Sequence, residues 1–212
     1  SYYNGSYSMG ISDVTAGYDR ISTAGNTARS GIIYNAVSEI DMPGEYAIDA
    51  ENKKLFYYPN GAISDLYFAS GRTANTVPKP TVTMNGTEHL RFENIDFFCG
   101  SDMGLDIDNC NDIVVYNSNI TGYASYGICA DNTTKLLICG SEIYNMKGKG
   151  VRISGGNQVR LEPSYNEIRT TSIHDYAQIN ETGNPGLELG GVGVTVKDNE
   201  IYNSPHLGIT FS

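Results

Sequence analysis

GLDID (Gly104–Asp108), GICAD (Gly127–Asp131), GVRIS (Gly150–Ser154), GLELG (Gly186–Gly190) and GITFS (Gly208–Ser212) are five copies of one pattern. Each is a glycine followed by alternating apolar and exposed residues. The first three copies start 23 residues apart, the fifth starts 22 after the fourth, and the longer gap before the fourth has to hold an insertion. Alternation with a period of two is strand-like, and a repeat in the low twenties marks a solenoid of strands. A second beat sets one isoleucine in a polar frame, at Ile120, Ile143, Ile173 and Ile201, with a weaker copy at Ile95. Between the beats runs a third apolar strip: Ile113 and Val115, Leu136 and Ile138, Ile168, Val194 and Val196. Three short strands per coil, joined by Asn/Asp/Ser/Gly turns, predict an all-β chain folded as a right-handed parallel β-helix. Equivalent positions then stack ~4.8 Å apart, the spacing of neighbouring strands.

The chain has 212 residues, no tryptophan, 16 tyrosines, 24 glycines and a net charge of −10. An acidic surface disfavours nucleic acid, anionic membranes and, without a bridging cation, polyanionic glycans. No apolar run approaches the length of a membrane span and no signal peptide opens the chain. Cys99, Cys110, Cys129 and Cys139 fall at different points of the repeat, so they are expected as free thiols, which argues against a strongly oxidising compartment.

Outward from the repeat, residues 81–212 form the solenoid, and the break inside GITFS leads to the expectation that the chain continues beyond it. Residues 1–80 form a β/loop region, with short strands and loops near the start and a weak strand at Leu66–Phe68. EYAID and KLFYY, turned by AENKK, predict a hairpin over 45–59. NQVRLEPSY and AQINETGNP read as loops projecting from one coil.

EIDMPGEYAID with KLFYYP, then GVRISGGNQVRLEPSYNEI, then SIHDY with EIYNSPHLGI, resemble bacterial right-handed parallel β-helix proteins of the pectate-lyase-like superfamily. The resemblance implies a secreted or cell-surface bacterial protein acting on a polysaccharide or oligosaccharide, glycoside-hydrolase-like, with the glycan bound along an exposed sheet. It does not fix a substrate, because the scaffold hosts several chemistries.

Alternation points Leu105, Ile107 and their equivalents inward, Ile209 and Phe211 included. Outward it points the row Asp106, Cys129, Arg152, Glu188, Thr210 and the row Asp108, Asp131, Ser154, Gly190, Ser212. Asp106, Asp108 and Asp131 are near enough to act as acid and base or nucleophile of a glycosidase, and crowding raises at least one pKa. The same carboxylates suit Ca2+, although no metal ligand set is assigned and no cofactor is required. Asp108-Asn109 and Asp131-Asn132 also suit tight turns. Arg152 and Glu188 read as an ion pair, or as a substrate-holding cation beside an acid or base. Cys129 is expected as an exposed thiol. His206, in the turn into the last glycine-led strand, is a further catalytic candidate. His174, in a row with Tyr144 and Tyr202, is expected to face outward in a stack that serves as a sugar platform or only packs in solvent. Asp175 reads as a turn residue.

A glycoside hydrolase is therefore the leading reading, favoured over a lyase by charge and over a binding module by the resemblance. A Ca2+-dependent polysaccharide lyase and a non-catalytic glycan-binding or structural solenoid are the alternatives.

Overall fold

The structure is a computed structural model describing residues 17–18, 33–49, 51–67, 77–179 and 181–211. The readings for 1–16, 19–32, Phe68 and Ser212 lie outside those residues. Contacts divide the chain into two units, 1–66 and 67–212. Among the described residues the only helical elements are two three-residue 3-10 turns, Val37–Glu39 and Ile63–Asp65. None is long and apolar enough to cross a membrane.

In the first unit, Gly17–Tyr18 pairs antiparallel with Ile33–Tyr34, and Tyr46–Asp49 with Lys54–Tyr57. The second pair is the expected hairpin. Glu45 ties down its entry by accepting the backbone N–H groups of Asp41 and Met42, both at 2.8 Å. Asp49 accepts from the Asn52 backbone at 3.0 Å within the turn.

The second unit is built of three parallel sheets. The glycine-led sheet holds Val82–Asn85, Leu105–Asp108, Tyr126–Asp131, Lys149–Gly155, Pro185–Gly191 and Leu207–Phe211, each paired with the next. The middle sheet runs from Glu88–Glu93 to Val194–Lys197 and the third from Asp96–Gly100 to Glu200–Tyr202, five strands each. Five coils each donate one strand to each sheet and Leu207–Phe211 adds a sixth to the glycine-led one, so the register joins equivalent positions of successive repeats: Leu105 to Ile128 to Val151 to Leu187 to Ile209. Leu105, Ile128, Val151 and Leu187 are fully buried, as are Ile113, Val115, Ile138, Ile143, Ile168 and Ile173. Ile209 and Phe211 keep that register but are 44% and 82% exposed, since no further described coil lies over them.

The repeated glycine has a packing cause. A Cβ on Gly104 would lie 2.6 Å from the Gly127 carbonyl oxygen, and one on Gly150 would lie 2.4 Å from that of Gly186. A side chain at the head of the strand would hold successive coils apart. At the corners, Asn94, Asn109, Asn117, Asn132, Asn145 and Asn203 all have positive φ, near +50°, the conformation asparagine tolerates best after glycine.

One apolar assignment changes, and one buried position is polar. Ile120 pairs with Phe97, not Ile95; Phe97 is buried and Ile95 is 39% exposed. An aromatic fills the first layer where later coils use isoleucine. In the middle strip, the position below Leu136 is Asn166, fully buried. Its amide accepts from Leu136 N and donates to Thr133 O and Oγ1, so the polar side chain is satisfied inside the stack.

Candidate functional site

The register sets the outward rows of the glycine-led sheet side by side. Asp106, Cys129, Arg152, Glu188 and Thr210 follow one another on adjacent strands, and Asp108 pairs with Asp131. Above these rows lies an open groove of about 530 Å³, lined by Thr83, Met84, Asn85, Asp106, Asp108, Asp131, Asn132, Arg152 and Ser154. Asp106, Asp108, Asp131 and Arg152 therefore meet in one place. Glu188 borders the groove through Arg152; His206, His174, Tyr144 and Tyr202 are not part of its lining.

A charged chain of contacts crosses three strands. Arg152 Nε donates to Asp131 Oδ1 at 2.8 Å, and Ser154 Oγ donates to the same oxygen at 2.7 Å. Arg152 also donates through Nη1 to Glu188 Oε1. Lys149 Nζ reaches Glu188 Oε2 at 2.8 Å and the Tyr126 hydroxyl at 2.9 Å. Arg152 and Glu188 thus form an ion pair, and Asp131 and Lys149 extend it. Asp108 is held by amides instead, from Asn109 at 2.9 Å and Asn85 at 3.4 Å.

These surroundings separate the carboxyls. Burial raises Asp106 above the usual carboxylate range, and Asp108, Asp102 and Asp131 push it the same way. Burial would raise Asp131 too, but hydrogen bonds from Ser154 and Arg152 outweigh it and leave that carboxyl below the usual range. Cys129 is a correction: it is 8% exposed rather than a surface thiol. Burial, then the Asp131 charge, pushes it up to about 12, because the flanking outward side chains close over the short Cys side chain. All four cysteines are free. Among the described residues no three His, Cys, Asp or Glu side chains gather in a metal-binding arrangement.

His174, Tyr144 and Tyr202 do share one row, on the third sheet. Their rings stack on each other, with centroids 5.2 and 4.7 Å apart and planes within 10°. His174 is 9% exposed, so it is no solvent-facing ring. The tyrosines cover both of its faces. Asp175 serves as a turn residue, with φ +52°, and also orients the imidazole at 2.6 Å. His206 is exposed and accepts the Gly183 N–H at 3.4 Å, from the connection that precedes its coil.

The sequence reading missed Lys149, which precedes a glycine in KGKG and shows its place only once it pairs with Tyr126 across the sheet. It also missed Asn85 and Thr83, because the first coil lacks the leading glycine.

A family model described as the right handed beta helix region matches residues 103–212. The chain belongs to that family. Neither the curated proteins nor the solved structures gave a match.

Proposed function

We propose that the chain is a carbohydrate-active β-helix whose glycine-led groove takes a polysaccharide strand and hydrolyses it by acid and base catalysis. One observation carries the reading: Asp106 and Asp131 line the same groove, one raised and the other lowered. Paired carboxyls whose environments separate their titrations assign themselves to proton donor and ionised partner. One coil and two residues of offset put their Cα atoms ~8 Å apart, which suits carboxyls flanking a glycosidic bond. Asp106 donates to the leaving oxygen. Asp131, with Asp108 beside it, supplies the charge that activates water or stabilises the sugar cation. Arg152 and Ser154 position Asp131; Glu188 is engaged by Arg152 and Lys149 and takes no proton role, and His206 stands outside the step. The same reading has the protein secreted or at the bacterial cell surface.

Hydrolysis is favoured over elimination because a lyase needs a free base. Burial would lower Lys149 and Arg152, but Glu188 and Tyr126 for the first, and Asp131 for the second, more than offset it. Both stay cations. Ca2+ has no part in this reading, with Asp131 Oδ1 already accepting from two donors.

The test is to incubate the chain and its Asp106→Asn variant with a panel of neutral polysaccharides and analyse the products. Saturated ends, lost about 100-fold or more in the variant, support the reading. Unsaturated ends, equal activity in the variant, or binding without any product count against it.

A further inference from the structure

His174 lies away from the groove, and its surroundings demand a charge. Tyr144 and Tyr202 cover both ring faces. Its polar contacts run through the two nitrogens: Nδ1 meets Asp175 Oδ2 at 2.6 Å and Nε2 meets Glu142 Oε1 at 3.0 Å. A neutral imidazole has one N–H and one lone pair, and acts as a donor on one side only. The other carboxylate would then face the lone pair. Two carboxylate acceptors call for two N–H groups, which is the imidazolium.

That cation holds together parts of three successive coils. Glu142 lies on the strand before His174, in register with Ser172. From the coil after, Asn203 Nδ2 donates to Asp175 Oδ1. Asp175 turns the chain out of the sheet at φ +52° and starts the connection that ends at Pro185, the head of the strand bearing Glu188. The start of this connection lies along Met146–Gly148: Met146 N donates to Asp175 O at 3.0 Å, Ala177 N to Gly148 O at 2.7 Å, Gln178 N to Met146 O and Ile179 N to Lys147 O, both at 3.3 Å.

We propose that His174 is a proton-operated latch. Charged, it ties Glu142 to Asp175 and keeps the connection docked along Met146–Gly148; losing one proton, it drops one carboxylate and the connection loosens. The groups facing the ring are Glu142, Asp175 and the two phenols. Glu200 stands in Glu142's row two coils on, and Lys147 lies in the turn under the connection. Burial disfavours the charge, but the hydrogen bonds that the ring donates to Asp175 and Glu142 outweigh it and hold His174 above the ordinary histidine value. A raised folded value gives a latch closed at and below about pH 6.5, opening as pH rises through the folded titration.

The test uses the full chain and needs no ligand. Long-range proton–nitrogen correlation spectra report the protonation of each ring nitrogen of His174. Amide exchange at 177–179, corrected for base catalysis, is followed across the same pH range. Expected are both nitrogens protonated at about pH 6, and exchange at 177–179 accelerating about tenfold or more across the titration, the weight of a charge-assisted hydrogen bond. The amides of Asn157 and Glu162 stay unchanged. Glu142→Gln lowers the midpoint and moves the loosening with it. A single neutral tautomer at about pH 6 overturns the proposal, as does a titration that leaves 177–179 untouched, or a midpoint indifferent to Glu142→Gln. Should that variant not fold, the two wild-type readings decide alone.

Discussion

Arg152→Met removes the one side chain that joins Asp131 to Glu188 while leaving an apolar stem of similar length. Two charge-assisted contacts go, one to each carboxylate. Fully buried, such bonds contribute about 1.5–3 kcal/mol each; fully exposed pairs contribute about 0–1 kcal/mol. The side chains are 27% exposed for Arg152, 38% for Asp131 and 13% for Glu188, between those limits, and Lys149 still neutralises Glu188. About 1 kcal/mol per contact, or ~2 kcal/mol in all, is the expected loss at neutral pH, which lowers Tm by about 4–8 °C for a chain of this size. The pH dependence supplies the sign. Asp131 is depressed in the folded state, so its contribution is present above the ordinary carboxylate value and fades as pH falls through the folded one. Wild type and variant should therefore converge in acid. Urea unfolding at a series of pH values measures both. A loss under about 0.5 kcal/mol at neutral pH, or a gap constant down to acid pH, refutes the reasoning.

Three further outcomes follow from the packing. Ile138→Ala, fully buried between Val115 and Ile168, should cost about 2–5 kcal/mol in denaturant unfolding. Gly150→Ala brings a Cβ to 2.4 Å from the Gly186 carbonyl, whereas Gly208→Ala meets nothing within 4 Å; the first should destabilise by about 1–3 kcal/mol and the second barely at all, although both stand at the same motif position. With its titration pushed up to about 12, Cys129 should resist a thiolate-directed reagent at mildly alkaline pH until the chain is unfolded, as mass mapping of the labelled cysteines will show.

The solenoid was legible because its cause is periodic. Each glycine-led strand meets its own copy one coil away, so a spacing of 23 residues reads directly as the register of Asp106, Cys129 and Arg152. Reading failed where a position left the repeat. Phe97 takes the place of an isoleucine two residues from the apparent match, and Asn166 occupies an apolar position by satisfying its amide within the stack. At the groove, alternation alone brought the three aspartates and Arg152 to one face. It did not reveal that Arg152 and Ser154 share one oxygen of Asp131, or that Cys129 is covered, because side-chain reach is not periodic. Glu142 escaped notice for the same reason: 32 residues from His174, it becomes a partner only through the fold. Burial of His174 likewise depends on tyrosines one coil to either side.

The excursion after Gly155 is closed at its neck. Asn157 and Glu162 exchange two backbone hydrogen bonds, at 2.9 and 3.0 Å, and the tip beyond them stands in solvent, with Val159 94% and Leu161 76% exposed. A tip isolated by its own bridge transmits little to the stack beneath, and lengthening a closed loop adds only about 0.6 kcal/mol per doubling. The coils thus offer a docking port for foreign sequence: a peptide epitope or small tag spliced between Asn157 and Glu162 would ride on the solenoid without disturbing its register.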